Sequence, residues 1–210
     1  SGAAGGPSPA PAVHVEVSGR CAEGEPLEIC AGEVTLSGVP GEGGGRPRLT
    51  LPGVRVTGGA VLTLRNLDLC ASEENRVQAG TLWCWDCFIT AKNGCGVLCL
   101  KRARVFLHGC EVSRCMRSGI GVNGKNTEID IHRCVVSQNN FSGIGVNQQA
   151  RSIMLRESRI VKNAYHGVWL NAGVVAQWLG GEISGNHLSD CAGAGTLRGF
   201  SAAVPGGAPT

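Results

Sequence analysis

The 210 residues suffice for one domain with a continuous core, and 33 glycines beside 4% aromatic residues describe a chain that turns often and packs small side chains, which disfavours a helical bundle. A net charge of +3, from 19 basic and 16 acidic residues mixed along the chain, provides no run to track a phosphate backbone, so nucleic-acid binding is not expected. No stretch of about 18 apolar residues occurs, and no basic segment followed by an apolar one opens the chain, so neither a membrane span nor an intact signal peptide is expected and the compartment stays open.

Residues 1–12, rich in Gly, Ala, Ser and Pro, lack periodicity and predict a flexible N-terminal segment. Short alternating stretches follow at Leu27-Glu-Ile29, Val34-Thr-Leu36, Leu49-Thr-Leu51, Val54-Arg-Val56 and Val61-Leu-Thr-Leu64, separated by turn signals such as Pro40-Gly41 and Gly43-Gly-Gly45. Beyond them the pattern becomes strictly repetitive. Ser118-Gly-Ile-Gly-Val-Asn123, Ser142-Gly-Ile-Gly-Val-Asn147 and His166-Gly-Val-Trp-Leu-Asn171 recur at a spacing of 24, and Cys95-Gly-Val-Leu-Cys-Leu100 precedes them by 23. A second series runs in phase with the first: Val105 to Val112, Ile129 to Val136 and Ile153 to Ile160, extended by the segments starting at Leu62, Leu82 and Ala176.

Alternation of apolar and polar residues within each segment is the period of a strand with one face buried. It points Val105/Leu107, Ile129/Ile131 and Ile153/Leu155 inward, and likewise Ile120/Val122, Ile144/Val146 and Val168/Leu170. Strands this short bury a hydrophobic face only by stacking repeat upon repeat, and no leucine-rich frame or repeated helix is present. The predicted fold is therefore all-β: a single-stranded right-handed parallel β-helix spanning residues 13–191 in coils of about 24 residues. Residues 192–210, rich in Gly and Ala, predict a C-terminal tail or a light cover over an end of the coil.

The Ser-Gly-Ile-Gly-Val-Asn strand followed by a segment such as Arg133-Cys-Val-Val-Ser-Gln-Asn139 resembles the repeats of the right-handed β-helix superfamily that includes pectate lyases and polygalacturonases. It looks closest to the carbohydrate-binding and sugar-hydrolase repeats found in many contexts, some F-box proteins among them. The likeness covers about residues 50–190. It implies a sugar-binding groove on one outward sheet, with Asp, Arg or Lys doing chemistry in the pectinolytic members. This chain departs from those members in having no Asn-Thr-Asp, no Asp-Asp pair and no acidic cluster suited to calcium.

Equivalent positions suggest several columns of like residues. Asn123, Asn147 and Asn171 form one amide ladder, and Asn139, Asn163 and Asn186 a second, with Cys115 standing one coil earlier; asparagine suits such turns because it tolerates the left-handed conformation. Cys87, Cys110 and Cys134, followed by Ser158 and Gly181, predict an inward corner, where thiols behave as small apolar groups. Inter-coil disulfides there are conceivable in an oxidising compartment. Cys84-x-x-Cys87 and Cys95-x-x-x-Cys99 have spacings found in zinc sites, but Cys84 and Cys99 occupy core positions, so no metal and no cofactor is expected.

Outward positions of the second series read Thr63, Trp83, Phe106, Asp130 and Met154, with His108, His132 and Arg156 two residues further along. Asp130, His132 and Arg156 are the candidate catalytic residues, an acid, an imidazole and a guanidinium that could deprotonate a uronic sugar. Trp83, Phe106, Trp169, Asn123, Asn147 and Asn171 are the candidate ligand-binding residues, the last four flanking a flat surface left bare by Gly121 and Gly145. The function expected is a non-catalytic module presenting a rigid face to glycan or protein. The alternatives are a polysaccharide lyase or glycoside hydrolase acting on uronic-acid polymers, and a viral or particle-surface protein assembled as a homo-oligomer through open solenoid ends.

Overall fold

The computed structural model describes residues 12–200 apart from residues 18, 23 and 41–43, so the flexible segment expected at 1–12 lies almost wholly outside the described residues, as do the last ten positions. Among the described residues there are 23 strands and no helix, and the strands wind into a parallel solenoid of about 8 coils. Each coil contributes a strand to each of three faces. The first face carries Val61–Arg65, Thr81–Trp85, Arg104–His108 and Glu128–His132; the second carries Asp68–Ala71, Phe88–Ala91, Glu111–Ser113 and Val135–Ser137. The third carries Val97–Cys99, Ile120–Val122, Ile144–Val146 and His166–Leu170. The ten-residue strands Ser152–Val161 and Val175–Ser184 run through the corner and join the first face to the second.

Register follows the repeat. Ile120 pairs with Ile144 and Ile144 with Val168; Val105 pairs with Ile129, and Ile129 with Ile153. The irregular step of 20 residues is absorbed without slippage, because Leu62 sits against Leu82 and Leu64 against Cys84. These residues, with Leu107, Ile131 and Leu155, are essentially solvent-free. Burying a Leu or Ile side chain is worth about 1.5–3 kcal/mol, and each does so only beneath its neighbours in the next coil.

The corners rest on backbone conformation. Asn66, Asp86, Gly109, Arg133, Glu157 and Gly180 all have positive φ and form a column where the first face bends into the second. A second such column, Arg114, Gln138, Lys162 and Gly185, ends the second face. The sequence reading assigned left-handed turns to Asn139, Asn163 and Asn186, but the left-handed residue is the one before each. The asparagines instead point inward, where amide hydrogen bonds, not backbone tolerance, require them.

The solenoid also runs further than its apolar pattern indicates. Ser189–Gly193 pairs with the strand His166–Leu170, and Thr196–Arg198 with Val175–Ser184, so the section beginning at residue 192 opens with strand. These residues cap the last coil, one side facing solvent, so small and polar residues serve and the alternation that reveals buried strands is missing.

Candidate functional site

The residues singled out from sequence separate into two places. Trp83 and Phe106 join Asp130, His132 and Arg156 on the first face, whereas Trp169, Asn123 and Asn147 border a concavity on the third.

On the first face, outward residues of three successive coils meet. Trp83 and Phe106 stack with ring centroids 4.0 Å apart; Trp85 and His108 lie 4.8 Å apart, and His108 meets His132 edge-on at 4.9 Å. A shallow depression of 130 Å³ opens among these rings and Asp130. Arg156 lies opposite His132 in register, yet its guanidinium reaches diagonally and donates to Asp130 Oδ2 at 2.6 Å. The other carboxylate oxygen, Oδ1, is buried and has no hydrogen-bond partner among the described residues. His132 Nε2 stands 3.8 Å from Glu157, a carboxylate that Arg133 holds more closely at 2.9 Å. The carboxylate of the candidate catalytic trio therefore has one oxygen engaged and the other covered, and among the described residues no second acid lines the depression.

The third face carries the larger feature, a concavity of 590 Å³. Gly121 and Gly145 form its floor, at the second glycine of each Ser-Gly-Ile-Gly-Val-Asn repeat. A Cβ on Gly121 would stand 2.9 Å from Cys95 Sγ, and one on Gly145 would stand 3.3 Å from Ser118 Oγ, so side chains from the coil before already close over the glycines. The surface expected to be flat is thus a trough. One wall is the stacked pair Phe141 and Tyr165, with centroids 4.3 Å apart and planes 15° apart, extended by Arg117. Opposite stands the amide ladder, in which the Asn147 side chain donates to Asn123 Oδ1. Asn171 extends that ladder by donating to the Asn147 carbonyl at 3.0 Å, although it does not line the trough. Trp169 and His166, the latter hydrogen-bonded to Ser189 Oγ at 2.7 Å, finish the end of the trough.

Phe141 and Tyr165 are 49% and 41% exposed, large rings held in water by a rigid turn, and the sequence reading passed over them. A signal was present, since Arg117, Phe141 and Tyr165 recur at intervals of 24. They fall in turns, where inside and outside cannot be read from alternation. Trp85, in the first-face cluster, was likewise passed over.

Elsewhere the solenoid spends its chemistry on structure. The thiols of Cys87, Cys110 and Cys134 each donate to the carbonyl two residues earlier, at 3.2, 3.3 and 3.2 Å, and Ser158 Oγ makes the same bond to Arg156 at 2.7 Å. This column is the predicted inward corner. Ten cysteines, all of those whose side chains are described, are free thiols, Cys110 and Cys134 among them. Burial pushes the Cys95 thiol up to about 11 and the Cys115 thiol up to about 12.

With this geometry in hand, comparison with known proteins gives one match: the profile of a family described as a right-handed β-helix region covers residues 52–176. No curated protein and no solved structure matches the chain.

Proposed function

From the premise that the chain belongs to the right-handed β-helix family, we propose that it is a non-catalytic binding module whose third face receives a glycan. The observation that carries this reading is the exposed Phe141–Tyr165 stack standing over a glycine floor. Aromatic faces offer apolar platforms to the C–H faces of sugar rings, while the Asn123 and Asn147 amides across the trough offer both donors and acceptors to hydroxyls. The volume of 590 Å³ lies within the range of small-ligand sites, and its glycine floor belongs to paired strands of the solenoid, which favours a pre-formed site.

The hydrolase or lyase reading has less support. Asp130 is ion-paired to Arg156, and the depression beside it holds no second carboxylate of the kind glycoside hydrolysis uses.

The test is a glycan array run beside a uronate-lyase absorbance assay on wild type, Trp169→Ala and Asp130→Ala. Binding without turnover is expected, with Trp169→Ala weakening it by about tenfold and Asp130→Ala leaving it unchanged. Turnover that Asp130→Ala abolishes would overturn the reading in favour of an enzyme. A glycan that binds wild type and Trp169→Ala equally would remove the trough as its site.

A further inference from the structure

The turns that carry the chain from the third face to the first are chemically one-sided. Six successive turns, residues 57–60, 78–80, 100–103, 123–127, 147–151 and 171–174, contain no Asp or Glu. Three consecutive ones carry Lys101 and Arg102, then Lys125, then Arg151, and Arg104 opens the adjoining strand. Among the described residues that line this corner the one carboxylate is Glu128, held by Arg104 at 3.1 Å. Five cations against this single acid leave four uncompensated positive charges on one corner, more than the +3 of the whole chain.

Backbone bonds stack these turns directly: Arg102 N–H donates to the Lys125 carbonyl at 3.0 Å and Arg151 N–H to the Thr127 carbonyl at 2.7 Å. Arg102, Arg104, Asn126, Glu128 and Arg151 line a common concavity of 430 Å³. Among the described residues Lys101, Arg102, Lys125 and Arg151 make no ion pair. Uncompensated like charges at strand spacing repel one another, and a fold has no structural need to gather them.

We infer that this corner is an anion site for the sulfate groups of a sulfated glycan. Arg102 and Arg151 lie two strand spacings apart, about 10 Å, with Lys125 between them. Guanidinium forks and an ammonium contributed by three coils suit an oxyanion with three terminal oxygens accepting around it, as a tetrahedral sulfate ester has, whereas a carboxylate offers two. No aromatic residue occurs in the six turns, so a single-stranded nucleic acid would find no platform for its bases. The site adjoins the trough, because Asn123 and Asn147 line the trough and open the same turns that hold Lys125 and Arg151. In this respect the inference rests on the glycan-binding reading of that trough: one chain would lay its rings there and its charges here.

The experiment measures binding of dextran sulfate, unsulfated dextran, polygalacturonate and a short DNA duplex across a salt series, using wild type, the double variant Arg102→Gln/Arg151→Gln and Trp169→Ala. Dextran sulfate is expected to bind wild type most tightly, and the double variant to lose at least tenfold in affinity. The slope of log K against log salt should fall by about two, one for each cation removed, with an unchanged melting temperature. Trp169→Ala should keep that salt-dependent component, so failure of the trough and failure of the corner give different patterns. Equal affinity of the double variant, or equal binding of polygalacturonate or DNA at the same salt, would overturn the assignment.

Discussion

Asn163 Oδ1 accepts two hydrogen bonds from Asn139, from its backbone N–H at 3.2 Å and from its side-chain amide at 2.9 Å, and Asn186 treats Asn163 the same way one coil on. Each rung satisfies a buried backbone donor of the coil before it, and the column begins where Cys115 N–H donates to Asn139 Oδ1. Asn163→Ala is expected to destabilise by about 2–3 kcal/mol, since two buried donors of Asn139 lose their acceptor. Urea unfolding of the variant checks this value.

The two glycines of each repeat serve different ends, and substitution should separate them. At Gly143 a Cβ would stand 2.6 Å from Ile160 Cγ2, 2.8 Å from Asn163 Nδ2 and 2.8 Å from the Gly167 carbonyl, and Gly119 and Gly167 stand in the same relation to Asn139 and Asn186. At Gly145 the nearest atom is Ser118 Oγ at 3.3 Å. Gly143→Ala is expected to lower the melting temperature by several degrees, as an overpacked core does, whereas Gly145→Ala should keep stability and weaken glycan binding by raising the trough floor. Thermal melts beside the binding assay distinguish the two outcomes.

Ile131 is fully buried between Leu107 and Leu155 in a core one side chain wide. Ile131→Asp places an unpaired charge there and should cost more than about 3 kcal/mol, enough to unfold a marginal domain. A melting temperature matching wild type would mean that the first-face strands are wrongly aligned.

Burial of thiols sets a pH dependence. The ordinary thiol value is 9.0, and the folded values for Cys95 and Cys115 are raised to about 11 and about 12. Their contribution to stability is complete below the unfolded value and is lost as pH rises through the folded ones, because only the unfolded chain releases those protons first. Unfolding midpoints should hold steady up to about pH 8 and fall between about pH 9 and 12, and Cys115→Ala should fall less steeply. At neutral pH, iodoacetamide should label exposed Cys30 well before the buried thiols.

Stacking was legible from the chain alone because a coil is too thin to hide an apolar face by itself. A residue such as Ile120 must meet its like, Ile144, in the next turn, so a spacing of 24 dictated the register, the inward side of each strand and the thiol corner. Residues in turns obey no such alternation, and there the three-dimensional path decided. It put Phe141 and Tyr165 over Gly121 and Gly145 and made a trough of an expected plane. It placed the left-handed conformation at Gln138 and Lys162, leaving the neighbouring asparagines free to bond inward, and it gathered Lys101, Arg102, Lys125 and Arg151 from scattered positions onto one corner. The physical reason is common to all of these: burial repeats with the strand and is written in its pattern, but the direction of a turn's side chain depends on where the backbone bends, which emerges only once neighbouring coils are in contact.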